Sequence, residues 1–380
     1  MIIPTYARFP VTFVKGHEST LWDAEGKKYI DFAAGIAVNS IGHAHPKWVQ
    51  AISSQAAELA HVSNLYHTEP GIKLAQKLCE ISGLHSVFFS NSGAEANEGL
   101  IKTARKFSSD NYGANRHTII TLEGSFHGRT MAALTATGQT KFHKHFHPFV
   151  QGFRYVPPND IAALEAQGDD VCALLIEPIL GEGGIIPLDA EYVKAAAELC
   201  KKRDWLLMID EVQTGIGRTG TWFGFQQYGV TPDAISFAKG IAGGMPLGGF
   251  ILGEKLQSTL GAGDHGTTYG GNLVCCAAAL AVLEVLEPIL PEIEKKGAFI
   301  REKITAMNLP CIKEIRGAGL MLGLSLSGIT PADAVSRLLE AGLVALPAGA
   351  DVLRFLPPLT IGYADLEAGL EIIQNILRKG

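Results

Sequence analysis

Six short apolar runs, separated by segments with the periodicity of amphipathic helices, constrain the fold of this chain more than any other feature. Continuous apolar runs of this length are typical of strands that are buried on both faces of a parallel sheet. Their alternation with helices predicts an α/β fold, in which helices cover both faces of a mostly parallel central sheet. The runs occupy residues 87–90, 118–122, 171–176, 205–209, 234–238 and 248–252.

The two ends of the chain have a different pattern and predict a second, smaller domain. Residues 19–32 alternate in polarity around the turn DAEG and predict a β-hairpin, and a helix is expected after Pro46. Beyond about residue 290 the pattern is a helix, short strands and a closing helix, which is typical of an α+β unit. The expected boundaries are residues 1–48 and 289–380 for the small domain and 49–288 for the large one.

Composition excludes several classes of partner. The net charge of −6 and the pI near 6.1 argue against nucleic acid as a binding partner. The six cysteines form no CxxC pair, which favours reduced core cysteines and a cytoplasmic location. The N-terminus lacks the pattern of a signal peptide, and the longest uncharged stretch, residues 266–283, keeps too few apolar residues together to span a membrane.

Ligands of open parallel sheets bind beyond the carboxyl ends of the strands, so the residues after each apolar run are the first candidates for chemistry. After residues 87–90 the chain reads Asn91-Ser92-Gly93-Ala94 and then continues as an amphipathic helix. The free backbone N–H groups and positive dipole end of that helix suit an anion, best a phosphate. The alternative at this point is a serine cap on a tight turn, without a ligand.

An acid and a lysine follow two further runs. Asp210 ends the run at 205–209, and Lys239 follows the run at 234–238 and precedes a glycine-rich segment. An acid here can cap a helix, bind a metal or anchor a cofactor, and a lone lysine is usually solvated. No second group with metal-ligand spacing accompanies Asp210, so a metal is not expected. A phosphate site, an acid and a lysine on one sheet edge together predict a pyridoxal phosphate site.

Phe126 and Arg129 follow the run at 118–122 in the segment GSFHGRT. An aromatic ring can stack on a flat cofactor, and an arginine can hold a carboxylate through two parallel hydrogen bonds. Taken singly, Phe126 fits equally well as a core residue, and Arg129 as a charged residue on the surface.

Several segments together resemble the class III pyridoxal-phosphate aminotransferases. They are NSGAEANE, GSFHGRT, IEPILGEGG, IDEVQTGIGRTG, FAKGIAGGMPLG and HGTTYGGN, and the likeness extends over essentially the whole chain in order. GIAVNSIGHAHP and GAGLMLGL make the chain most similar to the branch of this family that acts on acetylornithine. The resemblance implies the type I aminotransferase fold and a homodimer with shared active sites.

The resemblance also assigns roles at the cofactor. Lys239 matches the lysine that binds the cofactor covalently, and Asp210 matches the acid that pairs with the pyridine nitrogen. Gln213 would contact the ring hydroxyl. The remaining implied contacts are Glu211, Val212 and Phe126 around the ring, Ser92, Gly93 and Ala94 at the phosphate, and, also at the phosphate, the partner subunit's Thr268.

Two arginines are implied to bind substrate carboxylates. Arg129, near Thr267, would hold the carboxylate of the acylornithine, and Arg354 matches the arginine that binds the α-carboxylate of glutamate and 2-oxoglutarate. Glu182 matches the acid that masks Arg354 during the other half-reaction, and we expect a bidentate ion pair between them.

The implied activity is ping-pong transamination of N2-acetylornithine with 2-oxoglutarate, which gives N-acetylglutamate 5-semialdehyde and glutamate, a step of arginine biosynthesis. Succinylornithine, succinyl-diaminopimelate, ornithine and 4-aminobutyrate remain open as alternative amino donors. A mutase acting on glutamate semialdehyde shares the fold and remains open as another reaction class. A binding-only role is disfavoured by the presence of Lys239.

Two further motifs suggest other functions. The glycines of GIGRTG, residues 215–220, match the dinucleotide fingerprint and predict an NAD-dependent dehydrogenase, but DEVQT separates them from the strand. His143, His145 and His147 alternate, which could bind zinc, although a surface strand or loop is favoured before Pro148.

Overall fold

The computed structural model describes residues 2–378. The strands are β1 (Phe13–His17), β2 (Thr20–Asp23), β3 (Lys28–Asp31), β4 (Ser86–Ser90), β5 (Thr118–Leu122), β6 (Phe153–Val156), β7 (Val171–Ile176), β8 (Ile179–Leu180), β9 (Ile186–Pro187), β10 (Leu206–Asp210), β11 (Ala234–Phe237), β12 (Gly248–Leu252), β13 (Ile312–Ala318), β14 (Met321–Leu326), β15 (Leu343–Val344), β16 (Leu346–Ala348) and β17 (Val352–Phe355).

Helices alternate with these strands through most of the chain. They are α1 (Ala34–Ala37), α2 (Pro46–Glu58), α3 (Glu69–Ser82), α4 (Gly93–Tyr112), α5 (Met131–Ala136), α6 (Ile161–Glu165), α7 (Ala190–Arg203), α8 (Leu273–Leu286), α9 (Leu290–Ala306), α10 (Pro331–Glu340) and α11 (Tyr363–Leu377). Short 3₁₀ helices occupy Thr140–Phe142, Gly224–Tyr228, Lys239–Ala242, Glu254–Leu256 and Glu287–Ile289.

The six apolar runs of the sequence all form strands of one seven-stranded sheet, in the order β4-β12-β11-β10-β7-β5-β6. Only β12 is antiparallel to its neighbours, so the prediction of a mostly parallel sheet is confirmed. Strands β5, β7, β10, β11 and β12 are buried along their whole length, which explains their continuous apolar sequences. The edge strand β6 was not predicted from the sequence. Two of its four residues are exposed, so it does not form a continuous apolar run.

A second sheet joins the two ends of the chain. The predicted hairpin is present as β2 and β3, and β15 adds to β3 in parallel, with Leu343 opposite Ile30. The remaining C-terminal strands form a third sheet in the order β13-β14-β17-β16. In β17, Arg354 lies opposite Gly323 of β14. Both ends of the chain therefore contribute to the same small sheet, as the sequence predicts, while the proposed boundaries at residues 48 and 288 stay a prediction.

The turn α1 has an unusual backbone. Four consecutive residues, Ala34 to Ala37, have φ angles of 46°, 62°, 67° and 62°, so this turn is left-handed. Such a conformation costs about 1–2 kcal/mol for each residue other than glycine, and the surrounding structure must hold it. Oδ1 of Asp31 accepts hydrogen bonds from the N–H groups of Ala33 and Ala34, which fixes the entry to the turn.

The helical stretch Leu273–Ala306 is long and apolar enough, by length and composition, to cross a membrane. Its most apolar 18-residue window has a mean hydropathy of 2.2, and half of that window is buried inside the protein. Within this stretch α8 packs against α2 and α3, and the side chain of Asn272 caps its first turn. These contacts are those of a core helix, and its apolar composition follows from its burial.

Candidate active site

The carboxyl ends of β10 and β11 bring the predicted acid and lysine to one cavity. Asp210 is the last residue of β10 and lies opposite Ser236 of the parallel strand β11, which is three residues before Lys239. The cavity has a volume of about 390 Å³. Eight of the predicted site residues line it: Ser92, Gly93, Ala94, Phe126, Arg129, Asp210, Val212 and Lys239.

Asp210 is held by hydrogen bonds on both oxygens. Its Oδ2 accepts from Nδ2 of Asn97 at 2.7 Å and lies 2.8 Å from Nδ1 of His127, while its Oδ1 accepts from the N–H of Val212 at 3.0 Å. Burial by itself would raise the pKa of Asp210, but the hydrogen bond and charge of His127 outweigh it and hold that pKa below its usual value. Asp210 is therefore a fixed negative charge at the wall of the cavity.

Lys239 follows β11 and opens a short 3₁₀ helix, with a positive φ of 40°. Its ammonium loses hydration in this site, which lowers the pKa of Lys239, while the charges of Asp210 and Glu182 oppose that shift. The next residue, Gly240, is fixed by a hydrogen bond of 2.6 Å, which the hydroxyl of Ser40 donates to its carbonyl oxygen. A lysine with a lowered pKa presents more of its nucleophilic neutral form.

The start of α4 forms the floor of the cavity. Ser92 caps this helix, since its hydroxyl oxygen accepts from the N–H of Glu95, and the amides of Gly93 and Ala94 have no acceptor within the helix. A Cβ at Gly93 would lie only 2.7 Å from Cγ1 of Val212, so a larger residue would collide with that wall. The serine cap is therefore present, its geometry leaves the amides of Gly93 and Ala94 available to an anion, and the anion site itself stays a prediction.

Phe126 and Arg129 both line the cavity, and a residue that sequence reasoning missed stands beside them. The guanidinium carbon of Arg129 lies 5.4 Å from the ring centre of Phe126 and 4.1 Å from that of Phe142. The closer ring, Phe142, therefore orients Arg129 through a cation–π contact. Its position in the segment of alternating histidines gave no signal of this role.

The buried Arg354 and the half-buried Glu182 form an ion pair next to this cavity. Nη1 of Arg354 donates to Oε1 of Glu182 at 2.5 Å and to Oε1 of Gln213 at 3.2 Å. The expected bidentate pair is wrong, because one nitrogen of Arg354 donates to one oxygen of Glu182. Burial by itself would raise the pKa of Glu182, but the charge and hydrogen bond of Arg354, together with the charge of Lys239 and a hydrogen bond to Gln213, lower that pKa. Nε of Arg354 is buried and has no partner in residues 2–378.

Three predicted cofactor contacts lie outside the cavity wall. The carboxylate of Glu211 accepts from the hydroxyl of Thr214 and from the N–H groups of Gly224 and Phe225, and its contact with a cofactor stays a prediction. Gln213 lies beside Arg354, and its contact with a ring hydroxyl stays a prediction. Thr268 is exposed, and a contact with the phosphate of a partner subunit also stays a prediction.

Thr267 is linked to the cavity wall through Asn91. Its hydroxyl oxygen accepts from Nδ2 of Asn91 at 3.3 Å and from the N–H of Gly270 at 3.1 Å. Asn91 itself lines the cavity, so Thr267 stands one residue behind the wall.

The comparison with protein families gives a result over nearly the whole chain. The family model for class III aminotransferases matches residues 2–377. The chain belongs to this family. Among its curated relatives, this class III aminotransferase is 49% identical to the acetylornithine aminotransferase of Haemophilus ducreyi, over 99% of this chain and 96% of the relative. It is 48% identical to the acetylornithine aminotransferase of Methanocaldococcus jannaschii, over 98% of this chain and 94% of the relative.

Solved structures agree with this membership. The ornithine aminotransferase of Toxoplasma gondii, which has pyridoxal phosphate (PLP) at partial occupancy in its active site, matches with a TM-score of 0.95 at 32% identity. That match covers 100% of this chain and 92% of the other. The N-acetylornithine aminotransferase of Stenotrophomonas maltophilia matches with a TM-score of 0.87 at 36% identity, over 98% and 97% of the two chains. The type I aminotransferase fold is thereby confirmed.

The residues of this class III aminotransferase fit pyridoxal phosphate, the cofactor of the family. A fixed carboxylate suits a protonated pyridine nitrogen, a lysine of lowered pKa suits an aldehyde, and helix amides suit a phosphate. The backbone at Gly128 has a φ of 143°, and a Cβ there would lie 2.8 Å from that of Ala94, so a glycine is needed for the loop to pass this close to the start of α4.

Three further polar residues of the site were missed, although the sequence contained a signal for each. His127 and Asn97 contact Asp210, and both stand inside the motifs GSFHGRT and NSGAEANE. Glu177 directly follows β7, so the rule that identified Asp210 at a strand end also applies to it. Burial raises the pKa of Glu177 to about 7.

The two competing motifs have other roles in this class III aminotransferase. Residues 215–220 form turns rather than the start of a helix, and Arg218 is buried there, donating to the carbonyl oxygens of Leu320 and Pro357. The expected loop is present at residues 143–148, and Nε2 of His143 contacts the carbonyl oxygen of Leu134. Within residues 2–378 no three metal-ligating side chains cluster.

Proposed function

We propose that this enzyme transfers the terminal amino group of N2-acetylornithine to 2-oxoglutarate, giving N-acetylglutamate 5-semialdehyde and glutamate in arginine biosynthesis. The names of relatives at 42–49% identity support the reaction. The observation that carries the proposal is the ion pair of the buried Arg354 with the half-buried Glu182, beside a cavity lined by a second arginine, Arg129.

Two arginines meet the geometry of two unlike substrates. Acetylornithine has its reacting amine far from its carboxylate, whereas glutamate has both groups on one carbon. Arg129 would hold the distant carboxylate of acetylornithine, with Thr267 nearby. Arg354 would hold the α-carboxylate of glutamate or 2-oxoglutarate by a two-hydrogen-bond contact, once Glu182 has left it.

Glu182 would act as a mask on Arg354. While the ion pair is closed, Arg354 offers no free charge to the carboxylate of acetylornithine, and a wrongly oriented binding mode is disfavoured. Glutamate competes for the same guanidinium with its own carboxylate. Glu182 is the more exposed partner, with 29% of its side chain accessible against 3% for Arg354, which makes it the group that moves.

PLP, when bound, withdraws electrons from the substrate carbon that carries the amino group. The chain's own residues do the rest of the work. Asp210 would keep the pyridine nitrogen protonated, and Nζ of Lys239 would take the proton from the substrate carbon and return it to the cofactor carbon. His127 and Asn97 hold the carboxylate of Asp210 in its orientation.

Around the cofactor the proposed contacts follow from the cavity wall. Gln213 would reach the ring hydroxyl, and Phe126 and Val212 would cover the two faces of the ring. The amides of Gly93 and Ala94, with the hydroxyl of Ser92, would bind the phosphate.

The proposed assembly is a homodimer with shared active sites, in which the partner subunit's Thr268 completes the phosphate site. An open groove of about 790 Å³ between α2 and α8 supports this assembly, because α2 has no buried residue. Near it the chain exposes Leu65 by 86%, Tyr66 by 69% and Tyr269 by 66%. Apolar exposure of this extent fits a surface that a second copy covers. The six cysteines are free thiols, which supports a cytoplasmic location.

A panel of amino donors with 2-oxoglutarate tests the proposed reaction. We expect acetylornithine to give the highest kcat/KM among acetylornithine, succinylornithine, succinyl-diaminopimelate, ornithine and 4-aminobutyrate. Ornithine is the second candidate, because the fold matches an ornithine aminotransferase with a TM-score of 0.95. A higher kcat/KM for any other donor would overturn the assignment to acetylornithine.

A complementation experiment tests the shared site. K239A and T268D homodimers should each be inactive, the second because an added carboxylate repels the phosphate. In a mixed dimer, one site contains Lys239 and the partner's Thr268, both native. We expect co-expressed, separately tagged chains to recover about half of the wild-type activity per dimer. No recovery in a purified mixed dimer would contradict a shared site.

A further inference from the structure

Glu177 is a buried acid on the catalytic edge of the large sheet that the proposed chemistry leaves without a role. It directly follows β7, and only 5% of its surface is accessible. A carboxylate in such a place is costly unless hydrogen-bond donors surround it. The groups that donate hydrogen bonds to Glu177 therefore indicate its role.

The two oxygens of Glu177 bind two different loops. Its Oε2 accepts from the backbone N–H of Phe126 at 2.9 Å, in the loop after β5. Its Oε1 accepts from the backbone N–H of Gly181 at 3.3 Å, in the turn between β8 and β9. One side chain thus joins two segments that are more than fifty residues apart in sequence.

Each loop carries a residue of the proposed site next to its anchored amide. The first loop carries Phe126, on the cavity wall, and then His127, whose ring contacts Asp210. The second carries Glu182, the partner of Arg354, directly after Gly181. The backbone at Gly181 is also packed, since a Cβ there would lie 2.7 Å from the side chain of Gln213.

We propose that Glu177 is a positioning residue that fixes the loop of Phe126 and the turn of Glu182 relative to each other. It holds Phe126, the side chain proposed to cover the cofactor ring, and Glu182, the proposed mask of Arg354, at a fixed distance from each other. The part of this proposal that concerns Glu182 rests on the proposed function, because the proposed function is what gives Glu182 its role in separating the two half-reactions.

The role requires an acceptor on both ends of the side chain. A carboxylate accepts through both oxygens, whereas the amide of glutamine accepts through one oxygen and donates through nitrogen. In E177Q one of the two backbone N–H groups therefore loses its acceptor while the side chain keeps its size. In E177D the side chain is shorter, and both contacts weaken.

Amide hydrogen exchange on the holoenzyme tests the link without reference to activity. In E177Q and E177D we expect the peptides containing Phe126 and Gly181 to exchange at least tenfold faster than in the wild type. D233N is the matched control, because Asp233 also binds a backbone amide, that of Leu207, at the opposite end of the sheet. Unchanged exchange at both amides in both Glu177 variants would overturn the proposal.

A double-mutant cycle tests the effect on the site. We measure single-turnover rates with acetylornithine and with glutamate for E177Q, E182A and the double variant. If Glu177 acts through Glu182, then E177Q shifts the ratio of the two rates at least threefold, in the direction that E182A shifts it. The double variant then equals E182A. The positioning role would be overturned if E177Q left the ratio of the two rates unchanged. It would also be overturned if the shift of this ratio in the double variant were the product of the shifts in the two single variants.

The two readouts separate this proposal from the proposed function. If E182A itself leaves the ratio unchanged, the mask of Arg354 is wrong, and the exchange rates at Phe126 and Gly181 alone decide whether Glu177 joins the loops. Faster exchange together with a normal ratio in E182A would refute the mask and keep the link.

Discussion

The imidazole of His127 and the carboxylate of Asp210 lie against each other in full burial, with Nδ1 and Oδ2 2.8 Å apart. Asn97 locks the pair, since its Nδ2 donates to both Oδ2 of Asp210 and the carbonyl oxygen of His127. The carboxylate thus stays charged inside the protein, because the donors around it replace the water that it lost.

Replacing Asp210 by asparagine removes this charge at constant size. The pyridine nitrogen of the cofactor then loses its anionic partner, so stabilisation of the substrate carbanion should fail. We expect kcat to fall about a hundredfold or more, roughly 2.7 kcal/mol in barrier, with a modest change in substrate KM. Steady-state kinetics on cofactor-saturated D210N decide this, and near-normal kcat would make Asp210 a structural group.

The K239A variant should lose turnover and keep most of its affinity for the cofactor. The contacts to phosphate and ring remain in this variant, whereas the covalent attachment and the proton carrier are gone. We expect kcat below about a tenth of the wild-type value, a barrier increase above roughly 1.4 kcal/mol. Equilibrium dialysis of PLP measures retention, and a variant with more activity than this would show that another group moves the proton.

Substitutions of the ion pair should affect the two half-reactions in opposite ways. E182A leaves Arg354 unmasked, so the glutamate half-reaction stays fast and the acetylornithine half-reaction slows, shifting their ratio tenfold or more. R354A should damage the reactions of glutamate and 2-oxoglutarate far more than that of acetylornithine. Single-turnover absorbance spectra follow each half-reaction directly. Equal losses in both halves would mean that the pair only stabilises the fold.

The lowered pKa of Lys239 should appear in the pH dependence of cofactor binding. Neutral amine attacks the aldehyde, so the rate of reconstituting apoenzyme with PLP rises with pH and levels off once Lys239 is deprotonated. Because burial lowers this pKa, the midpoint should lie below the usual 10.5 of lysine. The charge of Asp210 raises the pKa of Lys239, so D210N should move the midpoint further down. D233N serves as the control, and an upward shift in D210N would contradict the assignment.

The large sheet was predictable because five of its seven strands are buried along their whole length and consist mostly of apolar residues. Edge strand β6 was not, since the exposed Arg154 and Tyr155 break the apolar pattern. The residues at strand ends were predictable in position but not in direction. Asp210 faces the cavity while Glu211 turns to the amides of Gly224 and Phe225, and the backbone geometry of that turn decides between them.

Pairs of residues far apart in sequence were beyond pattern analysis. Glu182 and Arg354 are separated by 172 positions, and only their likeness to a known family suggested that they meet. The same is true of Phe142 and Arg129, whose contact depends on how a loop without regular periodicity folds over the cavity.

The parallel pairing of β3 with β15 has a consequence for synthesis on the ribosome. Ile30 emerges early, but its partner Leu343 is more than three hundred residues downstream. The hairpin of β2 and β3 therefore waits with one edge unpaired until the chain is nearly complete, while the large sheet can already assemble behind it. Arg354 follows Leu343 closely and joins its sheet at this late stage. A nascent chain can thus complete the large-sheet wall of the cavity before Arg354, the residue proposed to select between the two substrates, is in place.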